Sequence, residues 1–122
     1  MKLLRYGPAG QEKPGLLGAD GRIRDLSNQI ADVDGHALAP EKLARLAELD
    51  PSTLPIVDGS PRLGCPVGGV NKFVAVGLNY ADHAAESNMA LPSEPIIFFK
   101  ATSCIVGPND DVVLPRGATK GD

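Results

Sequence analysis

His83 and Glu86 stand three residues apart in the stretch GLNYADHAAES, residues 77–87 of a 122-residue chain with only two histidines. On a helix, residues at i and i+3 share a face. A carboxylate beside an imidazole fixes the ring's tautomer and raises its basicity, which prepares a general base to take a proton from water. The same spacing also describes a solvated polar face on a short surface helix, and spacing alone favours that plainer reading because charged i,i+3 pairs are common. The surroundings weigh the other way. The pair follows an apolar run, residues 73–76, and polar clusters at strand ends are where sites tend to sit.

Other residues offer less. Lys100 closes the apolar run IIFF at residues 96–99. It could hold a carboxylate or a developing enolate, or it could terminate the strand by snorkelling. Asp110 and Asp111 lie in a turn-like GPNDD segment and read as turn formers rather than cation ligands, with no EF-hand spacing around them. Cys104 reads as a small packing residue rather than a nucleophile, and His36, beside Gly35, as a loop histidine. The stretch GCPVGGVNK lacks the Gly-Lys-Ser/Thr end of a phosphate loop, and no GxGxxG occurs.

Composition narrows the partners. The net charge is −3 and neither sign clusters, so no basic stripe offers a nucleic-acid footprint. No apolar segment approaches the ~20 residues of a spanning helix, and the amino-terminal MKLLR is too short an apolar run for a signal peptide. Cys65 and Cys104 form no CxxC, which fits reduced thiols in a cytoplasmic protein.

The elements that must position these residues fall into two textures. Residues 2–6, 14–17 and 22–26 read as three short strands, the last two joined at Asp20-Gly21, whose positive φ suits a hairpin. Residues 40–49 read as the clearest helix, with Pro40 at its first position and an apolar stripe of Leu43, Leu46, Ala47 and Leu49. Asp50-Pro51 ends it, and residues 51–69 are loop-rich. From residue 72, the runs 73–76 and 95–99 are continuous apolar strands, expected to be buried on both faces. A helix over 80–88 lies between them, with Asn79 as cap and Asp82 answering back. Residues 112–114 read as one more strand. The fold class is mixed α+β, mostly β, with a small amino-terminal domain over 1–69 and a second domain over 70–122. Glycine (14) and proline (11) are frequent, consistent with many turns. The last residues, TKGD, follow a strand-like segment and read as a chain stopping within a fold.

The ordered series VGLNYADHAAES, then EPIIFFKATSCIVGPNDDVVLPRG, resembles the start of the catalytic domain of the fumarylacetoacetate hydrolase family. The stretches KLLRYGPAGQEKPGLL and DGRIRDLS are similar to the small amino-terminal domain of bacterial members named ureidoglycolate lyase or hydroxymuconate-type isomerase. The resemblance implies a mixed β-roll catalytic domain and a divalent cation, Mg2+ or else Mn2+ or Ca2+. It implies a small oxo- or hydroxy-acid substrate, cleaved as in acylpyruvate C–C hydrolysis or ureidoglycolate-type lysis, and a homodimer. It makes His83 and Glu86 a catalytic dyad on a lid helix and gives Tyr80 and Lys100 substrate contacts, with Asn79 beside Tyr80 at the lid's entrance. The family's Glu-x-Glu and Asp metal ligands are expected beyond residue 122, so no residue here is assigned to metal. Leu78 stands where many acylpyruvase-like members carry Arg. The alternative reading is a non-catalytic fragment or assembly module lacking the metal site.

Overall fold

The computed structural model describes residues 1–119. The chain divides into two compact units. One comprises Met1–Gly68 with the segment from Val106 onward, and the other is Gly69–Ile105.

In the first unit, β1 (Leu3–Tyr6), β2 (Lys13–Leu17) and β3 (Ile23–Asp25) form an antiparallel sheet in the order β1-β2-β3. The register places Leu3 opposite Leu16, and Leu17 opposite Ile23. The expected hairpin turn is present: Gly18 N–H donates to the Arg22 carbonyl (2.9 Å), and Gly21 adopts φ 76°. Asp20 Oδ1 accepts from Arg22 N–H (3.1 Å), the local side-chain bond that makes Asp a turn former.

Helix α1 (Pro40–Ala47) starts at Pro40 as expected, and its acidic Glu41 lies in the first turn, where it complements the helix dipole. It is shorter than expected by two residues. Leu49 lies beyond it, where it still packs on the core, while Ala47 is exposed. Asp50 instead caps a 3-10 turn over Pro51–Thr53, its carboxylate accepting from Ser52 N–H (2.8 Å). Leu16, Leu26 and Leu54 form the core, with Leu3, Ile30 and Leu49 packed against it. Burying each such leucine contributes about 1.5–3 kcal/mol.

The loop-rich segment after Leu54 touches both outer strands of the sheet. Ile56 bridges to Arg24 on β3, and Leu63 bridges to Tyr6 on β1. Flanking bonds reinforce both crossings: Asp25 N–H to the Pro55 carbonyl (2.8 Å) and Gly64 N–H to the Arg5 carbonyl (2.9 Å).

In the second unit, β4 (Phe73–Gly77) pairs antiparallel with β5 (Ile96–Lys100), Phe73 opposite Lys100 and Gly77 opposite Ile96. Helix α2 (Ala81–Glu86) lies between them in the chain. Three expectations need correction. First, β4 and β5 are not buried on both faces: every residue of β5 is exposed, and only Ala75 and Gly77 of β4 are partly covered. Their apolar content suits a central strand, yet among the described residues each has a single strand partner. Second, residues 112–114 form no strand, and Val112 and Val113 are more than four-fifths exposed. A β-branched run becomes a strand only where a neighbour supplies the ladder, and none does so here among the described residues. Third, α2 is shorter than the span 80–88, and Tyr80 rather than Asn79 holds the cap position, with no side-chain cap bond. Of the closing TKGD, only Thr119 lies within the described residues.

Candidate functional site

The proposed site residues fall on α2, its approach and β5. The approach begins with Leu78, whose φ of 48° places it in the left-handed region. That region is uncommon for non-glycine residues and a marked departure for a bulky side chain. Leu78 therefore turns the chain out of β4 at a conformational cost, and such costs cluster at functional sites. The sequence carried no signal for it, because leucine does not mark a positive φ. Tyr80 follows in extended conformation, 70% exposed.

Helix α2 is a short piece held at its far end. Asn88, at φ 57°, occupies the left-handed position just past the helix. Met89 N–H donates to the Ala84 carbonyl (2.9 Å) and Asn88 N–H to the Ala85 carbonyl (3.1 Å). These two bonds are a Schellman motif, with asparagine in the place glycine usually takes. At the other end Asp82 Oδ1 accepts from His83 N–H (2.8 Å), so Asp82 serves an orphan amide of the first turn rather than answering a cap at Asn79. Ala84, 1% exposed, is the buried residue of the helix.

His83 and Glu86 both lie on α2, three residues apart and exposed. Among the described residues no hydrogen bond or ion pair joins them; the two residues share a helix segment and form no such contact with each other. Lys100 ends β5 opposite Phe73, while the chain leaves for α2 from the Gly77 end of the same ribbon. Four residues of strand, roughly 13 Å at the usual rise, separate those ends. A cavity of about 420 Å³ lies at the Gly77 end, lined by Gly77, Leu78, Asn79, Ala81, Glu94 and Pro95 among others. Asn79, Ser93 and Glu94 are the polar side chains of that lining; Glu94 opens the EPIIFFK motif, but its sequence context gave it no role at a site.

Among the described residues, no three of His, Cys, Asp and Glu come together in a way that could hold a metal ion. Asp110 is engaged elsewhere, by Arg62, and His36 is an exposed loop residue as expected. Cys65 and Cys104 are both free thiols; Cys104 is exposed, not the packed residue expected. No helix among the described residues is long and apolar enough to cross a membrane.

Residues 72–122 match the family model described as the carboxy-terminal part of fumarylacetoacetate (FAA) hydrolase. Proteins provisionally named hydrolases in Burkholderia lata and Burkholderia ambifaria are each 60% identical over all 122 residues. The chain spans 43% of the length of both relatives. Two solved structures share the fold. One, provisionally described as an HpcE protein of Mycobacterium smegmatis, is 31% identical with TM-score 0.63, over 96% of this chain and 42% of that one. The other, the fumarylacetoacetate hydrolase of Exiguobacterium antarcticum, is 28% identical with TM-score 0.58, over 87% of this chain and 37% of that one.

Proposed function

We propose that this chain supplies the proton-transfer half of an enzyme of hydrolase type, a reading supported by the match of residues 72–122 to the carboxy-terminal part of fumarylacetoacetate hydrolase. Its substrate is a small oxo- or hydroxy-acid, opened by acylpyruvate-like C–C hydrolysis or ureidoglycolate-type lysis. The observation that supports this reading most is the placement of His83 and Glu86 together on a short exposed helix that follows a strained turn at Leu78. Glu86 orients the imidazole by accepting from one ring N–H. The other ring nitrogen of His83 takes the proton from water in hydrolysis, or from the substrate in lysis. Tyr80, at the start of α2, contacts the substrate as the helix closes; Lys100, at the other end of the β4–β5 ribbon, supplies positive charge to a carboxylate or enolate oxygen only of a substrate that reaches along the ribbon. The residues described here do not fit a Mg2+ cage, and no step of this proposal runs through a cation; on this reading the metal's ligands belong to another part of the protein.

The test uses a protein of the relatives' full length, assayed with added Mg2+ against acylpyruvates, oxaloacetate and ureidoglycolate. His83→Ala and Glu86→Ala should each lower turnover by roughly 10²–10⁴-fold, the usual share of a general base, with the unfolding temperature unchanged. Undiminished turnover in either variant overturns the assignment. The same reading makes the protein a cytoplasmic homodimer, which sedimentation of the full-length protein checks. A second reading, an assembly module without catalysis, is favoured by the exposed apolar side chains of Val74, Val76, Ile97 and Phe99. It predicts no turnover of any of these acids.

A further inference from the structure

The first unit contains a chain of five side chains whose charges alternate. Asp32 accepts from Arg5 Nε (2.7 Å) and Nη2 (3.1 Å). Arg5 Nη2 also lies 3.5 Å from Glu12 Oε2. Glu12 Oε1 accepts from Arg62 Nη1 (2.9 Å), and Arg62 grips both oxygens of Asp110 through Nε and Nη2 (2.7 and 2.5 Å). Three carboxylates face two guanidiniums, and the excess negative charge is met by main-chain donors. Val33 N–H serves Asp32, Gly10 N–H serves Glu12 and Gly107 N–H serves Asp110. Glu12 is the member common to both arginines, and its side chain is only 9% exposed.

The two ends of this series coincide with two places in the chain. Gly69–Ile105 leaves the first unit after Gly68 and returns to it at Val106. On the leaving side, Gly68 N–H donates to the Val33 carbonyl (2.7 Å), Arg5 Nη1 donates to the Cys65 carbonyl (3.3 Å), and a Cβ on Gly68 would collide with Asp32 Oδ2. On the returning side, Gly107 N–H donates to Asp110 Oδ2 (2.6 Å), and a Cβ on Gly107 would collide with the Leu63 carbonyl oxygen. Each stem is therefore tied down by one arginine–carboxylate pair and seated where a glycine permits close approach. Partly buried charge pairs are weakly screened by solvent, and groups within one ion-pair network give non-additive effects on mutation.

We propose that Glu12 joins these two pairs into one cooperative clasp, so that loosening the chain at Asp110 also loosens it at Gly68. Sites in separate ion pairs with no shared partner open independently, whereas sites sharing a desolvated carboxylate open together, because freeing one arginine shifts the charge balance on the other.

Amide hydrogen exchange of the whole chain tests this. In Asp110→Asn the Gly107 amide should exchange faster, and the Gly68 amide should follow by threefold or more. The Leu43 amide, bonded to the Ala39 carbonyl inside α1, should stay within twofold of the unaltered protein. In a Glu12→Gln background, adding Asp110→Asn should move Gly107 but no longer Gly68. Acceleration confined to Gly107 in the single variant overturns the clasp, as does equal acceleration of Leu43, which marks simple global destabilisation. If Asp110→Asn does not fold, Glu12→Gln alone decides: both Gly68 and Gly107 must accelerate together, and movement of only one overturns the proposal.

Discussion

Arg62 holds Asp110 across 48 positions of sequence with two parallel bonds, Nε to Oδ1 and Nη2 to Oδ2. Such fork-to-fork pairs are the strongest geometry an arginine offers. The hydrogen bonds from Arg62 hold the carboxyl groups of both Asp110 and Glu12 below their usual range. A depressed carboxylate pKa adds stability that is fully present above the unfolded value, about 4, and is lost as pH falls through the lower folded value. The unfolding temperature should therefore fall on acidification below about pH 4. Asp110→Asn should flatten that acid limb while lowering the plateau near neutral pH, and thermal melts from pH 7 downward check both.

An opposite limb belongs to Tyr6. Burial, then the neighbouring Asp25 carboxylate, pushes its phenol up to about 12. Stability from a raised pKa is intact below the unfolded value of about 10 and falls as pH climbs toward the folded one. Tyr6→Phe should remove the part of the alkaline decline lying between those values, read by denaturant unfolding in that window.

Leu78 should tolerate glycine. Its left-handed φ of 48° costs a bulky residue about 1–3 kcal/mol, while glycine enters that region freely but loses more chain entropy. Leu78→Gly should leave stability within about 1 kcal/mol of the original, and Leu78→Val should lower it. Chemical denaturation of the two variants side by side decides the order.

Asn88 shares the left-handed backbone of Leu78, at φ 57°. Asn88→Gly should be neutral or slightly stabilising, and Asn88→Val should cost about 1–2 kcal/mol through loss of the Schellman end of α2. Exchange of the Met89 amide, which donates to Ala84, reports the outcome locally.

At Gly107 no relaxed alternative exists. A methyl there meets the Leu63 carbonyl, a main-chain atom that cannot swing aside. Gly107→Ala should destabilise by about 1–3 kcal/mol, more than Gly10→Ala in space, though Gly10 (φ 76°) carries its own strain.

What could be read from the sequence divides along physical lines. The three strands of the first unit, the Asp20-Gly21 turn and the proline start of α1 were legible because each has a local cause: alternation, positive φ, a missing N–H. The dyad's residues were legible as types at a spacing, and the ordered motifs pointed to the family. Burial was not legible for β4 and β5, since an apolar run states what a strand could bury and not what covers it. Leu78 and the Arg62 network were invisible for related reasons. A leucine gives no hint of a left-handed backbone, and ion pairs between residues 5, 12, 32, 62 and 110 depend on long-range closure that no window contains. The position of Lys100 at a strand end follows from its place after IIFF, but antiparallel register alone puts it at the end of the ribbon away from α2.

The segment that bridges to Arg24 at Ile56 and to Tyr6 at Leu63 has a consequence for self-association. A sheet grows by accepting a new strand onto an outer one, and an open outer strand is a template for unwanted polymerisation. In the first unit both outer strands already meet the same stretch of their own chain, so an incoming strand must first displace it. The three-stranded sheet is thereby guarded at both edges by its own chain, in addition to the charges of Arg5 on β1 and of Arg24 and Asp25 on β3.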